Sequence, residues 1–182
     1  MNTFRKEFRL SGSGGQGLIL AGIILAKAAA ADNHRVTQTQ SYGPESRGGS
    51  SRADVIISNN EIYFPEAQNF DYLVALTQEA CDKYIYDLKE DGLLLVDSGL
   101  VKNLGMTVKN LIEVNLSEIT LEKLGSSMPV NIVCLACITK YSGIVSDRSL
   151  EMAIRDSMKP ALIDMNMKAM KLGFDLAAQY KK

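Results

Sequence analysis

Near the start of the chain, Gly12-Ser13-Gly14-Gly15-Gln16-Gly17 has the G-x-G-x-x-G spacing. Glycines at these positions let a backbone turn tightly and approach a ligand. If a helix follows, its first amides present partial positive charge to a phosphate or carboxylate. A dinucleotide site also needs an acidic residue at the end of the next strand, where it holds the ribose hydroxyls. Asp32 has about the right offset but precedes that strand, whose own end reads Gln38-Thr39-Gln40-Ser41-Tyr42. Three readings stay open: a dinucleotide site, a different ligand or partner contact, and close helix-to-sheet packing.

A second segment, Ser41-Tyr42-Gly43-Pro44-Glu45-Ser46-Arg47-Gly48-Gly49, leaves the end of an extended run. Strand ends of this kind are where α/β proteins place their sites. The Arg47 guanidinium could pair with a carboxylate or phosphate through two parallel hydrogen bonds, while the glycines admit another backbone. The plain alternative is an exposed turn with a solvated arginine.

Other chemistry-bearing residues read as structural. Cys134 and Cys137 have C-x-x-C spacing but lie in the apolar run Ile132 to Ile138, so buried small thiols explain them better than redox or metal chemistry. The chain has one histidine, His34, in a polar segment, and it reads as a surface residue. Asp97-Ser98-Gly99 follows an apolar strand and reads as a loop cap. Met165, Met167 and Met170 read as gap-fillers in a helical interface.

The elements that must position these motifs follow from periodicity. Phe8 and Leu10 mark a strand, Ser11 to Gly17 a loop and Leu18 to Ala31 a helix. Val36 to Tyr42 is extended and ends at Gly43-Pro44, and the polar stretch from Glu45 to Arg52 cannot be core. Asn59-Asn60 predicts a tight turn pairing Asp54–Ser58 with Ile62–Phe64. Tyr72–Leu76, Leu93–Val96 and Leu111–Val114 read as strands, with a helix over Glu79–Leu88 between the first two. Helices follow over Ser117–Leu124, stopping at Gly125, over Val130–Tyr141, and after Asp147, where Asp147 or Ser149 is the expected cap. Pro160 should break or kink that last helix. The expected fold is a single α/β domain over residues 1–182: a Rossmann-like, mostly parallel sheet flanked by helices, with further helices at the C-terminus.

Bulk properties narrow the function classes. At 182 residues the chain fits one ordinary domain, and a formal net charge of −1 leaves no basic field for nucleic acid or an anionic membrane. No apolar run reaches the roughly 18 residues of a spanning helix, and no signal-like apolar stretch opens the chain. Three cysteines, an odd number, fit a reducing compartment. A cytoplasmic location is expected.

Together, the glycine segment opening a helix and Gln40-Ser41-Tyr42-Gly43-Pro44-Glu45-Ser46-Arg47-Gly48-Gly49 resemble the gamma subunit of 2-oxoacid:ferredoxin oxidoreductases. The resemblance continues through Asp54–Ser58, Leu93–Ser98 and Met128-Pro129-Val130-Asn131, covering the chain to about Tyr141. It implies a complex in which alpha and beta subunits, with a delta subunit as a further candidate, hold thiamine diphosphate, magnesium and iron–sulfur clusters. Such a complex decarboxylates a 2-oxoacid, releases an acyl-CoA and reduces ferredoxin. The resemblance is strongest to 2-oxoglutarate members. It implies that this chain binds no cofactor or metal alone and carries no catalytic residue. Its contribution would be to the coenzyme A side of the site, through Gly12, Gly14, Gly15, Gln16, Gly17, Tyr42, Glu45, Arg47 and Gly48. Against it stand a freestanding nucleotide-binding protein, a docking module that touches no ligand, and a relative acting on indolepyruvate.

Overall fold

The computed structural model describes residues 3–42 and 50–180, with Tyr42 described by its backbone. Strand β1 (Arg5–Ser13) alternates Phe8 and Leu10 with Glu7, Arg9 and Ser11, so its two faces differ in chemistry from the outset. It leads through the glycine turn into helix α1 (Leu18–Ala31). Strands β2 (Arg35–Tyr42) and β3 (Ser50–Ser58) follow, then β4 (Phe70–Ala75), α2 (Gln78–Tyr84), β5 (Leu88–Asp97) and β6 (Asn110–Val114). Helices α3 (Leu116–Leu124), α4 (Val130–Ser142), α5 (Asp147–Ser157) and α6 (Pro160–Tyr180) complete the order.

The strands form one six-stranded sheet in the order β2-β3-β1-β4-β5-β6. Strands β1, β4, β5 and β6 run parallel, as the alternating strand and helix pattern requires. Strands β2 and β3 add an antiparallel flank, with β3 seated between β1 and β2. That placement corrects the hairpin expected at Asn59-Asn60. Both edges of β3 are already paired, so Ile62–Phe64 has no edge to join and forms no strand.

Two apolar clusters mark the two faces. The larger joins Phe8 and Leu10 with Val55, Ile57, Val74, Leu95 and Ile112 under α1, α4, α5 and α6. The smaller joins Leu73, Ala75, Leu94 and Val96 with Ala80, Cys81 and Tyr84 of α2. The α2 helix is shorter than its expected span of Glu79–Leu88. A 3-10 turn over Ile85–Asp87 ends it, and Leu88 already belongs to β5.

At the C-terminus, Pro160 separates α5 from α6 and starts the latter, a position where its missing N–H costs nothing. The cap of α5 is Ser146, not Asp147 or Ser149: its hydroxyl accepts from the Ser149 amide. Asp147 is the first helical residue and instead meets Lys140.

A buried ion cluster ties the two sheet halves. Arg9 donates to both Asp54 carboxylate oxygens at 2.8 Å and to Asp87 at 2.9 Å. Its guanidinium also lies 4.0 Å from the Phe70 ring centre and 4.4 Å from that of Tyr84. Such a bidentate, stacked arginine is fixed in orientation, and removing one partner would strand a buried charge at a cost of about 3–5 kcal/mol.

Candidate functional site

The glycine turn and the end of β2, from which the second motif departs in sequence, lie at one end of the sheet. Ser51 of β3 pairs with Gly12 on one side and with Tyr42 on the other, so the ends of β1 and β2 stand one strand apart. Gly12 lies within β1 rather than in the loop. A Cβ there would collide with Gln16 Oε1 and sit 2.9 Å from a Leu18 methyl carbon. The missing side chain makes room for the Gln16 carboxamide, whose Oε1 folds back to accept from the Ser13 amide at 2.7 Å. Gln16 thus braces the turn from inside.

Gly17 is the N-cap of α1, with φ 74° in the left-handed region that glycine occupies readily. No side chain caps this helix start and its first turn carries no acidic residue, so nothing on the helix offsets the partial positive charge of its amides. The Gly17 carbonyl accepts from Asn131 Nδ2 at 3.0 Å, and a Cβ on Gly17 would stand 2.6 Å from that nitrogen. Asn131, buried near the start of α4, therefore fixes the turn from a second element. Sequence reasoning did not single it out. The only signal was its place in Met128-Pro129-Val130-Asn131, an asparagine opening an otherwise apolar helix.

Beside Gly15–Gly17 lies an open cavity of about 320 Å³, bounded also by the segment Ser126 to Asn131 and by the start of α6. Gly14 and Gly15 form the turn itself. Glu45, Arg47 and Gly48 lie outside the described residues, as does the Tyr42 side chain.

Asp32, the one acidic residue at a ribose-like offset, has a different task. It sits at the far end of α1, about 20 Å from the glycine turn at 1.5 Å per residue. There it accepts from Ser146 Oγ at 2.9 Å and Ser149 Oγ at 2.6 Å. Partial burial pushes its carboxyl up, but these hydrogen bonds and that from the Ser146 amide outweigh it and hold the group below its ordinary range. The residue that a dinucleotide fingerprint requires is thus committed to joining two helices.

Asp97 is fully buried and caps the loop after β5, accepting from Gly99 N at 3.0 Å and from Ser117 N at 3.0 Å. His34 is partly buried against Phe4 in an edge-on ring contact, a little less exposed than the expected surface position. Of the three methionines expected at a helical interface, Met170 is buried, Met167 packs against the core and Met165 lines the cavity.

A Pyruvate ferredoxin/flavodoxin oxidoreductase family model matches residues 7–176. The chain belongs to this family. The 2-oxoglutarate synthase subunit KorC of Methanocaldococcus jannaschii is 44% identical over 178 residues, covering 96% of this chain and 95% of that one. The crystal structure of a keto/oxoacid ferredoxin oxidoreductase gamma subunit from Geobacter sulfurreducens superposes with a TM-score of 0.89 at 43% identity, over 98% of this chain and 99% of that one. A 2-oxoglutarate:ferredoxin oxidoreductase from Magnetococcus marinus, with 2-oxoglutarate, coenzyme A and succinyl-CoA bound, shares the fold with a TM-score of 0.85 at 20% identity. There the match covers 98% of this chain but 32% of the other.

The resemblance implies iron–sulfur clusters on partner subunits, and the cysteines of this oxidoreductase subunit do not suit one. Cys81 belongs to the core beneath α2, whereas Cys134 and Cys137 belong to the core on the opposite face. Burial pushes Cys81 up to about 11 and Cys137 up to about 12, and raises Cys134 well above the ordinary thiol. Among the described residues no group of three or more His, Cys, Asp or Glu is placed to hold a metal ion. No described helix is long and apolar enough to cross a membrane.

Proposed function

We propose that this chain is the gamma subunit of a 2-oxoglutarate:ferredoxin oxidoreductase and forms part of the surface that receives coenzyme A. The observation that carries the reading is the meeting of the glycine turn with the end of β2 at one sheet end, beside a cavity and an unneutralised helix start. Near-complete coverage of a 2-oxoglutarate synthase subunit supports the substrate. The complex takes 2-oxoglutarate and coenzyme A to succinyl-CoA and carbon dioxide and reduces ferredoxin, in the cytoplasm. Alpha and beta subunits, and a delta subunit where one is present, hold thiamine diphosphate, magnesium and the iron–sulfur clusters.

The work of this chain is positional and electrostatic. Amides from Gly14 to Gly17, with Arg47 as the cationic partner that the resemblance assigns, would hold an anionic part of coenzyme A, while Gly12 and Gln16 keep the turn in shape. Tyr42, Glu45 and Gly48 belong with them to the coenzyme A side of the site on this reading, Tyr42 and Glu45 toward a partner subunit. Holding one reactant in place lowers the barrier without any proton transfer from this chain. In the assembled enzyme, Arg47→Ala should raise KM for coenzyme A about tenfold and leave KM for 2-oxoglutarate unchanged. Unchanged coenzyme A kinetics alongside weakened assembly would instead mark the loops as docking surfaces.

The freestanding nucleotide-binding alternative lacks its acidic partner, since Asp32 is held by Ser146 and Ser149.

A further inference from the structure

Away from the glycine turn, the second half of α6 carries cations and apolar side chains along one side. Lys168, Lys171, Leu172, Asp175 and Leu176 fall at helical spacings and, with the end of α3, line an open groove of about 420 Å³. The floor is apolar: Leu176 is buried, while Leu172 and the α3 residues Ile119 and Leu124 are half-buried against the core. The rim is cationic. Lys123 of α3 and Lys168 and Lys171 of α6 stand exposed around that floor, and Asp175 is the one carboxylate in the described lining. This surplus of positive charge is local, since the whole chain has a formal net charge of −1.

Ion pairs within the chain do not use this charge up. Lys171 reaches Asp175 at 2.7 Å, and Lys123 reaches Glu122, which lies outside the lining, at 3.4 Å. Both pairs are exposed and contribute little, so an incoming carboxylate loses little by displacing them. Lys168 has no ion pair or hydrogen bond among the described residues. A small inorganic anion would need only a fraction of this volume, a water molecule taking about 30 Å³, and would leave the floor unused. The complement is a peptide segment that lays aliphatic side chains on the floor and turns Asp or Glu toward the rim, as an amphipathic helix does in a groove. Aliphatic burial would supply most of the affinity, and the lysines would fix the register and select an acidic partner.

We infer that the groove between α3 and α6 is the docking site for an acidic amphipathic segment of another subunit of the oxidoreductase. The inference rests on the gamma-subunit reading above and is independent of where coenzyme A lies.

The test treats the purified native complex with a carbodiimide, which condenses a lysine amine with a touching carboxylate into an amide, and maps the joined peptides by mass spectrometry. Lys89 with Asp71 and Lys109 with Glu90, paired within this chain, report that the reagent has reacted. Amides from Lys123, Lys168 or Lys171 to Asp or Glu of another subunit are expected. Amides from these lysines only within the chain, or only to a second copy of it, overturn the inference. A second measurement uses the charge reversal Lys168→Glu with Lys171→Glu, both at exposed positions. Affinity for the remaining subunits should fall about tenfold at low salt, with the difference narrowing at high salt and the melting midpoint of the free chain unchanged. Wild-type affinity in that variant also overturns the inference. If the three lysines join no other subunit in a complex that keeps its coenzyme A-dependent activity, the docking assignment fails and the proposed function stands. A chain recovered with no partner subunit defeats both.

Discussion

Gly12 shows how one position couples strand, turn and helix. Any side chain there must displace the Gln16 carboxamide or the Leu18 methyl group. Gly12→Ala should lower stability by about 1–3 kcal/mol, the usual cost of overpacking, read as a drop in thermal midpoint of the isolated chain. The glycine spacing was readable in the sequence, but its purpose was not: spacing cannot say whether a glycine admits a ligand or a neighbouring side chain. Here Gly12 admits Gln16 and Gly17 admits Asn131. The buried reading of Cys134 and Cys137 needed only their apolar surroundings. With their thiols raised by burial, both should resist a disulfide exchange reagent at pH 8 in the folded chain and react on unfolding. Rapid labelling of either in the native state would contradict their placement in α4.

At the scale of elements, charged residues join strands that the apolar pattern alone would leave free to slide. Asp71 of β4 accepts from Lys6 Nζ and the Glu7 amide of β1 and from Lys89 Nζ of β5, at 2.9, 3.0 and 2.7 Å. Burial pushes its carboxyl up, but the hydrogen bonds from Lys89, Lys6 and the Glu7 amide together carry it below its ordinary value of 3.8. A depressed folded value means that the stabilisation is fully present above the unfolded pKa and is lost as pH falls through the folded one. Stability should therefore decline on acidification below about pH 4, and Asp71→Asn should be less stable at pH 7 with a flatter acid limb in melting curves. A parallel acid limb in the variant would show that other carboxylates carry the effect. Asp32 links α1 to α5 in a similar way, and Asp32→Ala should cost about 1–2 kcal/mol through the lost contacts to Ser146 and Ser149. The parallel strands and most helices were readable from alternation and glycine stops. The antiparallel flank was not, because pairing between β3 and β1 joins segments about 45 residues apart, as Arg9 opposite Asp54 illustrates. Local turn signals at Asn59-Asn60 pointed to a nearer partner that the sheet had no edge to accept.

For the whole molecule, the described residues share one six-stranded sheet, and the candidate site lies at an open end of it. An open cavity of this size cannot enclose coenzyme A, so on the proposed reading other subunits would complete the site. The proposed reading would account for how much of the function was readable: it assigns the motifs of this chain to a shared site and the groups that do the chemistry to other chains. The most direct test of the gamma-subunit assignment is to purify the native complex through this chain and assay ferredoxin reduction with 2-oxoglutarate, pyruvate and branched-chain oxoacids, with and without coenzyme A. Recovery of thiamine- and iron–sulfur-bearing subunits, with coenzyme A-dependent activity highest on 2-oxoglutarate, is the predicted result; a chain recovered without such partners, or an enzyme indifferent to coenzyme A, would contradict it.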